Sequence, residues 1–336
     1  MRLKRSVVTG PGIARRRRGK GFSYTGPDGE KVDAETLQRI DGLVIPPAWK
    51  KVWISPHANG HIQAVGTDVA GRKQYLYHLA WQEERAEEKF DRVLELSTRL
   101  PEWRRHMASD LAGRGYTRER VLALALHLID RGYFRAGGDQ SAEEFEHYGL
   151  STLLCEHVSV RKDTVQFDFP AKSGVRRVLE IDDPEIVKAV RSLRRRQCDS
   201  DRFLVHRKGT EWSDVHAADL NARFKEMVGD EYTVKDLRTW HGTVLAAEAF
   251  VDADPPVDPK VIKRVVSHVM KEVSGALGNT PAVARSSYVD PRVVRAYEEG
   301  HTITAAKARA DRKRNPRDAQ AVVEKATRAL VRRFSD

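Results

Sequence analysis

The spacing of apolar residues changes character once along this chain, near residue 80, and that change limits the fold more than any other feature. Before it the pattern is that of strands. Phe22 and Tyr24 alternate with polar residues, and Pro27-Asp28-Gly29 supplies a turn. A short helix is expected over residues 34–41, and Ile45-Pro46-Pro47-Ala48-Trp49 is too proline-rich to be helical throughout. Val52-Trp53-Ile54, residues 61–65 and residues 74–78 read as strands, the last with Tyr75 and Tyr77 on one face. From Trp81 to about Arg99 the chain is charged and helical in pattern, and beyond that it stays mostly helical. At roughly one domain per 150 residues, a chain of 336 residues holds two cores. The expectation is an α+β protein. A small N-terminal antiparallel β-sheet domain with short helices covers residues 1–86, and a larger, mainly α-helical domain covers residues 87–336.

A single stretch interrupts the helical region. Residues 157–160, 164–169 and 175–181 are short strand-like runs, with Lys162-Asp163 and Ala171-Lys172-Ser173-Gly174 as turns, which predicts a three-stranded meander. Toward the C-terminus the helix punctuation is explicit. Asp258-Pro259 opens a helix that Gly278 ends, Thr280-Pro281 and Asp290-Pro291 repeat the opening, and Gly300 closes the last. The longest apolar run, residues 121–129, is interrupted by His127 and too short to span a bilayer, so it reads as a buried helix. The basic residues 302–334 are compatible with a packing helix or a DNA-contacting one. Arg15 to Arg18 form a cationic run between glycines, readable as a solvated arm or as a phosphate-contacting one.

Charge narrows the partner. Lys and Arg number 59 against 48 Asp and Glu, a net +11 that points toward a polyanion, of which nucleic acid is the commonest in a cell. Two cysteines, Cys155 and Cys198, make neither a metal-ligand spacing nor a disulfide framework, and no apolar stretch follows the basic N-terminus as in a secretory signal. A cytoplasmic protein at the nucleoid is expected, with no membrane association.

Breaking a phosphodiester without a metal needs a nucleophile, cations around the non-bridging oxygens and an acid for the leaving oxygen. Arginine suits the oxygens because its planar fork stays charged and donates two parallel hydrogen bonds. Lysine suits the leaving group because neighbouring cations lower its pKa. The chain contains such a set: Arg135 in Tyr133-Phe134-Arg135-Ala136-Gly137-Gly138, where a glycine pair lets backbone approach a ligand; Lys172 at the second meander turn; Arg238 in Lys235-Asp236-Leu237-Arg238-Thr239-Trp240-His241; and Asn279 and Tyr288 in the segment 277–288. Taken singly, each has a plainer reading as a surface charge, a solvated turn residue or a packing aromatic, and spacing alone does not select these five.

Five segments in order carry a resemblance: Ile45-Pro46-Pro47-Ala48-Trp49; Gly71-Arg72-Lys73-Gln74-Tyr75-Leu76-Tyr77-His78; Tyr148-Gly149-Leu150-Ser151-Thr152-Leu153; Lys235-Asp236-Leu237-Arg238-Thr239; and Gly278 through Tyr288. Over about residues 41–291 the chain resembles the poxvirus-like subgroup of type IB DNA topoisomerases, in its bacterial branch. The resemblance implies relaxation of double-stranded DNA without ATP, metal or other cofactor. Tyr288 would form a 3′-phosphotyrosyl link, Arg135 and Arg238 would bind the scissile phosphate, and Lys172 would protonate the 5′-oxygen. Asn279 falls where viral members carry a histidine, so it brings a hydrogen bond but no charge. Gln74, Tyr75 and Tyr77 match positions that touch DNA from the N-terminal sheet, though a tyrosine pair can equally be core packing. Arg72, Lys73 and Lys235 are further expected DNA contacts. His241 reads as a packed helix residue. The resemblance also implies a monomer, with no obligate protein partner, closing as a clamp on DNA. Whether Tyr288 is in place before DNA binds is left open. A tyrosine recombinase shares this chemistry, but it usually has a histidine where this chain has Lys235 and a helical module where this chain has a β-rich one. A non-enzymatic DNA-binding protein would fit the charge but leaves the five site positions unexplained.

Overall fold

The computed structural model describes residues 2–335; Met1 and Asp336, the outer ends of the two expected domains, lie outside the described residues. The chain forms two compact units that divide between Lys89 and Phe90, inside the long helix that also contains the expected 86/87 boundary.

The first unit is a five-stranded antiparallel sheet. Its strands are β1 (Ile13–Arg18), β2 (Gly21–Thr25), β3 (Lys50–Ile54), β4 (Ile62–Thr67) and β5 (Lys73–Tyr77), in the order β2-β1-β3-β4-β5. Helix α1 (Ala34–Gly42) starts where the Asp33 carboxylate accepts from the Thr36 amide at 2.7 Å. Ile13, Ile40, Ile45, Val52, Ile54 and Ala64 form its core.

The Arg15 to Arg18 run is not an arm. It is most of β1, paired with β2 from Ala14 opposite Thr25 to Arg18 opposite Gly21. Arg15 lies over the Phe22 ring at 4.1 Å and donates to the carbonyls of Ile45, Pro46 and Trp49 at 3.3, 3.1 and 2.8 Å. Four identical residues in a row hide the alternation of a strand. Arg15 turns inward and binds the carbonyls of the proline-stiffened segment, while Arg16 and Arg18 face solvent.

The second unit is mainly helical, with α2 (Leu79–Leu111) continuing from the first unit into α3 (Arg118–Gly132), α4 (Asp139–Phe145), α5 (Pro184–Arg194), α6 (Ala217–Val228), α7 (Val234–Ala249), α8 (Pro259–Leu277), α9 (Pro281–Val283), α10 (Pro291–Glu298), α11 (Thr304–Ala310) and α12 (Pro316–Arg333). Helix α3 is buried from Val121 through Asp130 and forms the centre of the core. Helix α2 runs past its expected end and through Pro101, because Leu100, Trp103 and Met107 continue its buried stripe. An interior proline costs a helix about 3 kcal/mol or more, and burying several large apolar side chains at about 1.5–3 kcal/mol each offsets it.

The meander forms as its turns predict, with β6 (Val158–Arg161), β7 (Thr164–Pro170) and β8 (Arg176–Ile181) in that order. Val165, Phe167 and Phe169 alternate into the core along β7. A second hairpin, β9 (Val205–Lys208) and β10 (Glu211–Asp214), was not expected. Its strands are short and rich in charge, and only Gly209 at φ +62° marks the turn. The basic C-terminal stretch is a packing element: Val323, Glu324, Thr327 and Val331 of α12 are buried. Among the described residues no helix is long and apolar enough to cross a membrane.

Candidate active site

Two helices of the second unit end close together, and their last carbonyls hold three arginines. Helix α3 stops at Gly132 because Tyr133 adopts the left-handed conformation, φ 53°. Helix α8 stops at Gly278, φ 63°, in the position where the Asp258–Gly278 pattern places it. Arg238 of α7 donates to Tyr133 O and, at 2.8 Å, to Leu277 O. Arg135 donates to Gly278 O at 2.7 Å. Arg177 of β8 donates to Gly132 O at 3.1 Å and Ala276 O at 2.9 Å. Ala276, Leu277 and Gly278 are consecutive, so each of the last carbonyls of α8 receives a different guanidinium. Unsatisfied carbonyls at a helix end carry partial negative charge and attract cations there.

Asn279 joins two of these arginines. Its Oδ1 accepts from Arg135 at 2.6 Å and lies 3.4 Å from Nη2 of Arg238. Among the described residues, that orientation leaves Nδ2 of Asn279 buried with no partner, and Nε of Arg238 and of Arg177 are likewise buried and unpartnered. Tyr288 ends a π-helical turn, Ala284–Tyr288, and the Arg238 Cζ lies 5.2 Å from its ring centroid.

Among the described residues no carboxylate pairs with any of the three arginines. Burial lowers the pKa of Arg135, and burial and then the neighbouring Arg135 lower that of Arg238. Burial, Arg238 and Arg135, in that order, push Arg177 down to about 10. Guanidinium stays charged near neutral pH, so these shifts express the cost of crowding like charges out of water. Orphaned donors within a cationic cluster match an anion rich in acceptor oxygens.

Of the five expected site residues, the fold brings four together: Arg135, Arg238, Asn279 and Tyr288. Lys172 is exposed on the turn Lys172–Gly174 between β7 and β8 and forms no hydrogen bond with the other four. Of the Gly137-Gly138 pair, Gly138 has open space beside it. Gly137, at φ +103°, is approached by this chain's own Gly149, where an added Cβ would meet the Gly137 Cα at 2.4 Å.

Three residues of the site escaped the sequence reading. Arg177 carried no signal, being one of two arginines in an exposed-looking strand. Gly242 lies one helical turn after Arg238, and a Cβ there would meet Tyr288 O at 2.6 Å. Thr243 Oγ1 accepts from the Asp290 amide at 3.1 Å and lies 3.4 Å from Tyr288 O, fastening the end of the π-turn to α7. A glycine inside a helix, i+4 from an expected site arginine, was a readable hint.

His241 is packed, as expected. Its Nε2 lies 3.1 Å from Asp130 Oδ1, and its ring contacts Tyr133 at 5.0 Å between centroids.

In the first unit, Lys73, Tyr75 and Tyr77 share the exposed face of β5, and the two tyrosine rings stack at 6.0 Å. Tyr75 is 41% and Tyr77 39% exposed, which is not core packing. Gln74 points to the other face, donating to Asp68 at 2.9 Å, and Arg72 pairs with the same carboxylate at 2.9 Å. Lys235 is exposed on the first turn of α7.

Known proteins match most of the chain. Residues 78–315 match the family model for the catalytic core of eukaryotic DNA topoisomerase I, and residues 21–68 match that for the N-terminal domain of bacterial DNA topoisomerase IB. The DNA topoisomerase 1B of Acanthamoeba polyphaga mimivirus is 30% identical over 296 residues, 85% of this chain and 88% of its own. The DNA topoisomerase 1 of Mycosarcoma maydis is 31% identical over 106 residues and that of Drosophila melanogaster 30% over 134, in regions that are 10% and 13% of those longer proteins. With more than half of its length matched to the catalytic-core model and the mimivirus enzyme aligned over most of both chains, this chain belongs to the type IB DNA topoisomerase family.

Proposed function

We propose that this enzyme relaxes supercoiled DNA by cutting one strand through Tyr288 and resealing it, with no metal or ATP. The phenol gives up its proton to solvent water and its oxygen attacks phosphorus. The bond to the 5′-oxygen breaks, and Lys172 protonates that oxygen as it leaves. The phosphotyrosyl link keeps the phosphoester bond energy. After torsion has driven rotation about the intact strand, the 5′-hydroxyl displaces the phenol by the reverse path. Arg135 and Arg238 stabilise the charge on the non-bridging oxygens, an effect that per donor is typically worth about 10²–10³ in rate. Asn279 holds both guanidiniums through Oδ1 and offers Nδ2 to the phosphate. Lys172 stands on an exposed hairpin tip narrow enough to enter a groove. The exposed face of Lys73, Tyr75 and Tyr77 suits contact with the duplex, and we propose that a single chain engages DNA with both units.

The observation that carries this reading is the Tyr288 ring at 5.2 Å from an arginine that no carboxylate neutralises among the described residues. Plasmid relaxation in EDTA without ATP, followed by denaturation to trap a covalent adduct, tests it. Tyr288→Phe should bind duplex as the wild type does and show neither relaxation nor adduct. Relaxation by that variant would sink the assignment.

A further inference from the structure

The pocket contains more positive charge than the proposed chemistry uses. Arg177 has no role in that scheme, yet its guanidinium sits on the two carbonyls adjoining those of Arg238, Gly132 O at 3.1 Å and Ala276 O at 2.9 Å. A single glycine separates it from Arg135. A Cβ on Gly278 would lie 2.4 Å from Nη1 of Arg177 and 3.8 Å from Nη1 of Arg135. Its Nε is buried and unpartnered, and among the described residues no carboxylate pairs with it. The neighbouring Arg176, by contrast, points to solvent and forms an ordinary ion pair with Asp168 at 2.5 Å. Two adjacent arginines on one strand thus face opposite ways, one neutralised and one kept charged in a half-buried cluster. A guanidinium serving only as a strut between the ends of α3 and α8 would gain nothing from lying beside two others. Beside an anion, the same crowding becomes favourable.

We propose that Arg177 is a third phosphate-binding cation of the cleavage pocket, supplying the scissile phosphate with charge that neutral Asn279 does not bring. The proposal rests on the reading of this pocket as the cleavage site. It makes β8 a link between the acid and the phosphate, since Lys172 and Arg177 flank one turn of the same hairpin.

Arg177→Met removes the charge and keeps most of the stem. In single-turnover cleavage of a duplex by the full chain, it should slow adduct formation by about 10–100-fold, toward the loss expected for a single transition-state donor. In a Tyr288→Phe background, where no cleavage occurs, equilibrium binding of the same duplex should lose about one unit of the slope of log K against log salt, the signature of one phosphate contact. Arg177→Lys should keep that slope. A wild-type rate with a wild-type slope overturns the proposal. So does slower cleavage with the slope unchanged, which would mark Arg177 as a strut. If Arg177→Met no longer melts cooperatively, Arg177→Lys decides, because it keeps the charge and loses the bidentate fork: a retained slope upholds the proposal and a lost one overturns it. Absence of an adduct in the wild type would sink the Tyr288 reading itself, while the slope would still judge Arg177.

Discussion

Two arginine clusters of the catalytic unit share the same two helices, α3 and α7, and they treat charge in opposite ways. In the first, Arg104 of α2 meets Asp130 of α3 at 2.8 Å and Glu324 of α12 at 2.8 Å, and His241 of α7 lies 3.1 Å from Asp130 Oδ1. Burial there opposes charge, but the two carboxylates outweigh it and hold Arg104 above its ordinary pKa. In the second, Arg238, one turn before His241, is held with Arg135 and Arg177 by main-chain carbonyls, and all three pKa values fall. The first cluster is complete and fastens α12 to α2 and α3. The second has no carboxylate among the described residues and, on the function proposed above, is completed by the scissile phosphate. A buried cation given carboxylates maintains the fold, whereas one given only neutral acceptors, helix-end carbonyls and the Asn279 amide, keeps its charge uncompensated, as the proposed phosphate site requires.

Substitutions can break or sharpen this contrast, from the largest expected effect to the smallest. Lys172 belongs to neither cluster, being charged, exposed and poised on its turn. Lys172→Ala should slow cleavage by ~10²–10⁴ with no change in melting temperature, and a 5′-bridging phosphorothiolate, whose leaving group needs no proton, should restore the rate. Failure of that rescue removes Lys172 as the acid. Arg238→Ala should slow cleavage by about 10²–10³ and change stability little, because relief of repulsion offsets the loss of its bonds to Tyr133 O and Leu277 O. A large drop in stability would show that the pocket arginines are structural after all. Glu324→Ala should do the reverse, destabilising the fold by about 3–5 kcal/mol as a broken buried pair does while the folded enzyme cleaves at nearly the wild-type rate. Acid should act on the same network. Burial pushes the Asp130 pKa up, but Arg104 and His241 outweigh it and hold the carboxyl well below its ordinary range. Its stabilisation is therefore full above the unfolded value of about 3.9 and is lost as pH falls below that toward the folded value. Denaturation curves of wild type and Asp130→Asn should converge as the pH drops, and a constant gap would refute the linkage. Asn279→Ala should be the mildest change, about tenfold in cleavage, by a hydrogen-bond argument of roughly 1–1.5 kcal/mol. A loss as large as that of Arg238→Ala would show that joining the two guanidiniums is the main work of Asn279.

Much of the architecture was legible because its signals are local. Asp258-Pro259 and Gly278 bound α8 where they stand, and the meander turns are where Lys162-Asp163 and residues 171–174 place them. The strand β1 was hidden because four arginines show no alternation, and only pairing with β2 reveals it. The hairpin of β9 and β10 was hidden because each strand is short and charged. In the candidate site, resemblance supplied Arg135, Arg238, Asn279 and Tyr288, whereas Arg177 could not be told from Arg176 beside it.

What the sequence by itself determined is where helices with explicit caps start and stop and which residues of an alternating strand share a face. Capping and alternation depend on residues within about four positions of one another. What only the tertiary structure decided is which arginine serves which purpose. Gly132 and Tyr133 must meet Ala276, Leu277 and Gly278 from a distant region of the chain before five carbonyls can hold three guanidiniums. Whether a charge is neutralised or left for a ligand depends on the partners that folding brings to it, and no local pattern contains that information.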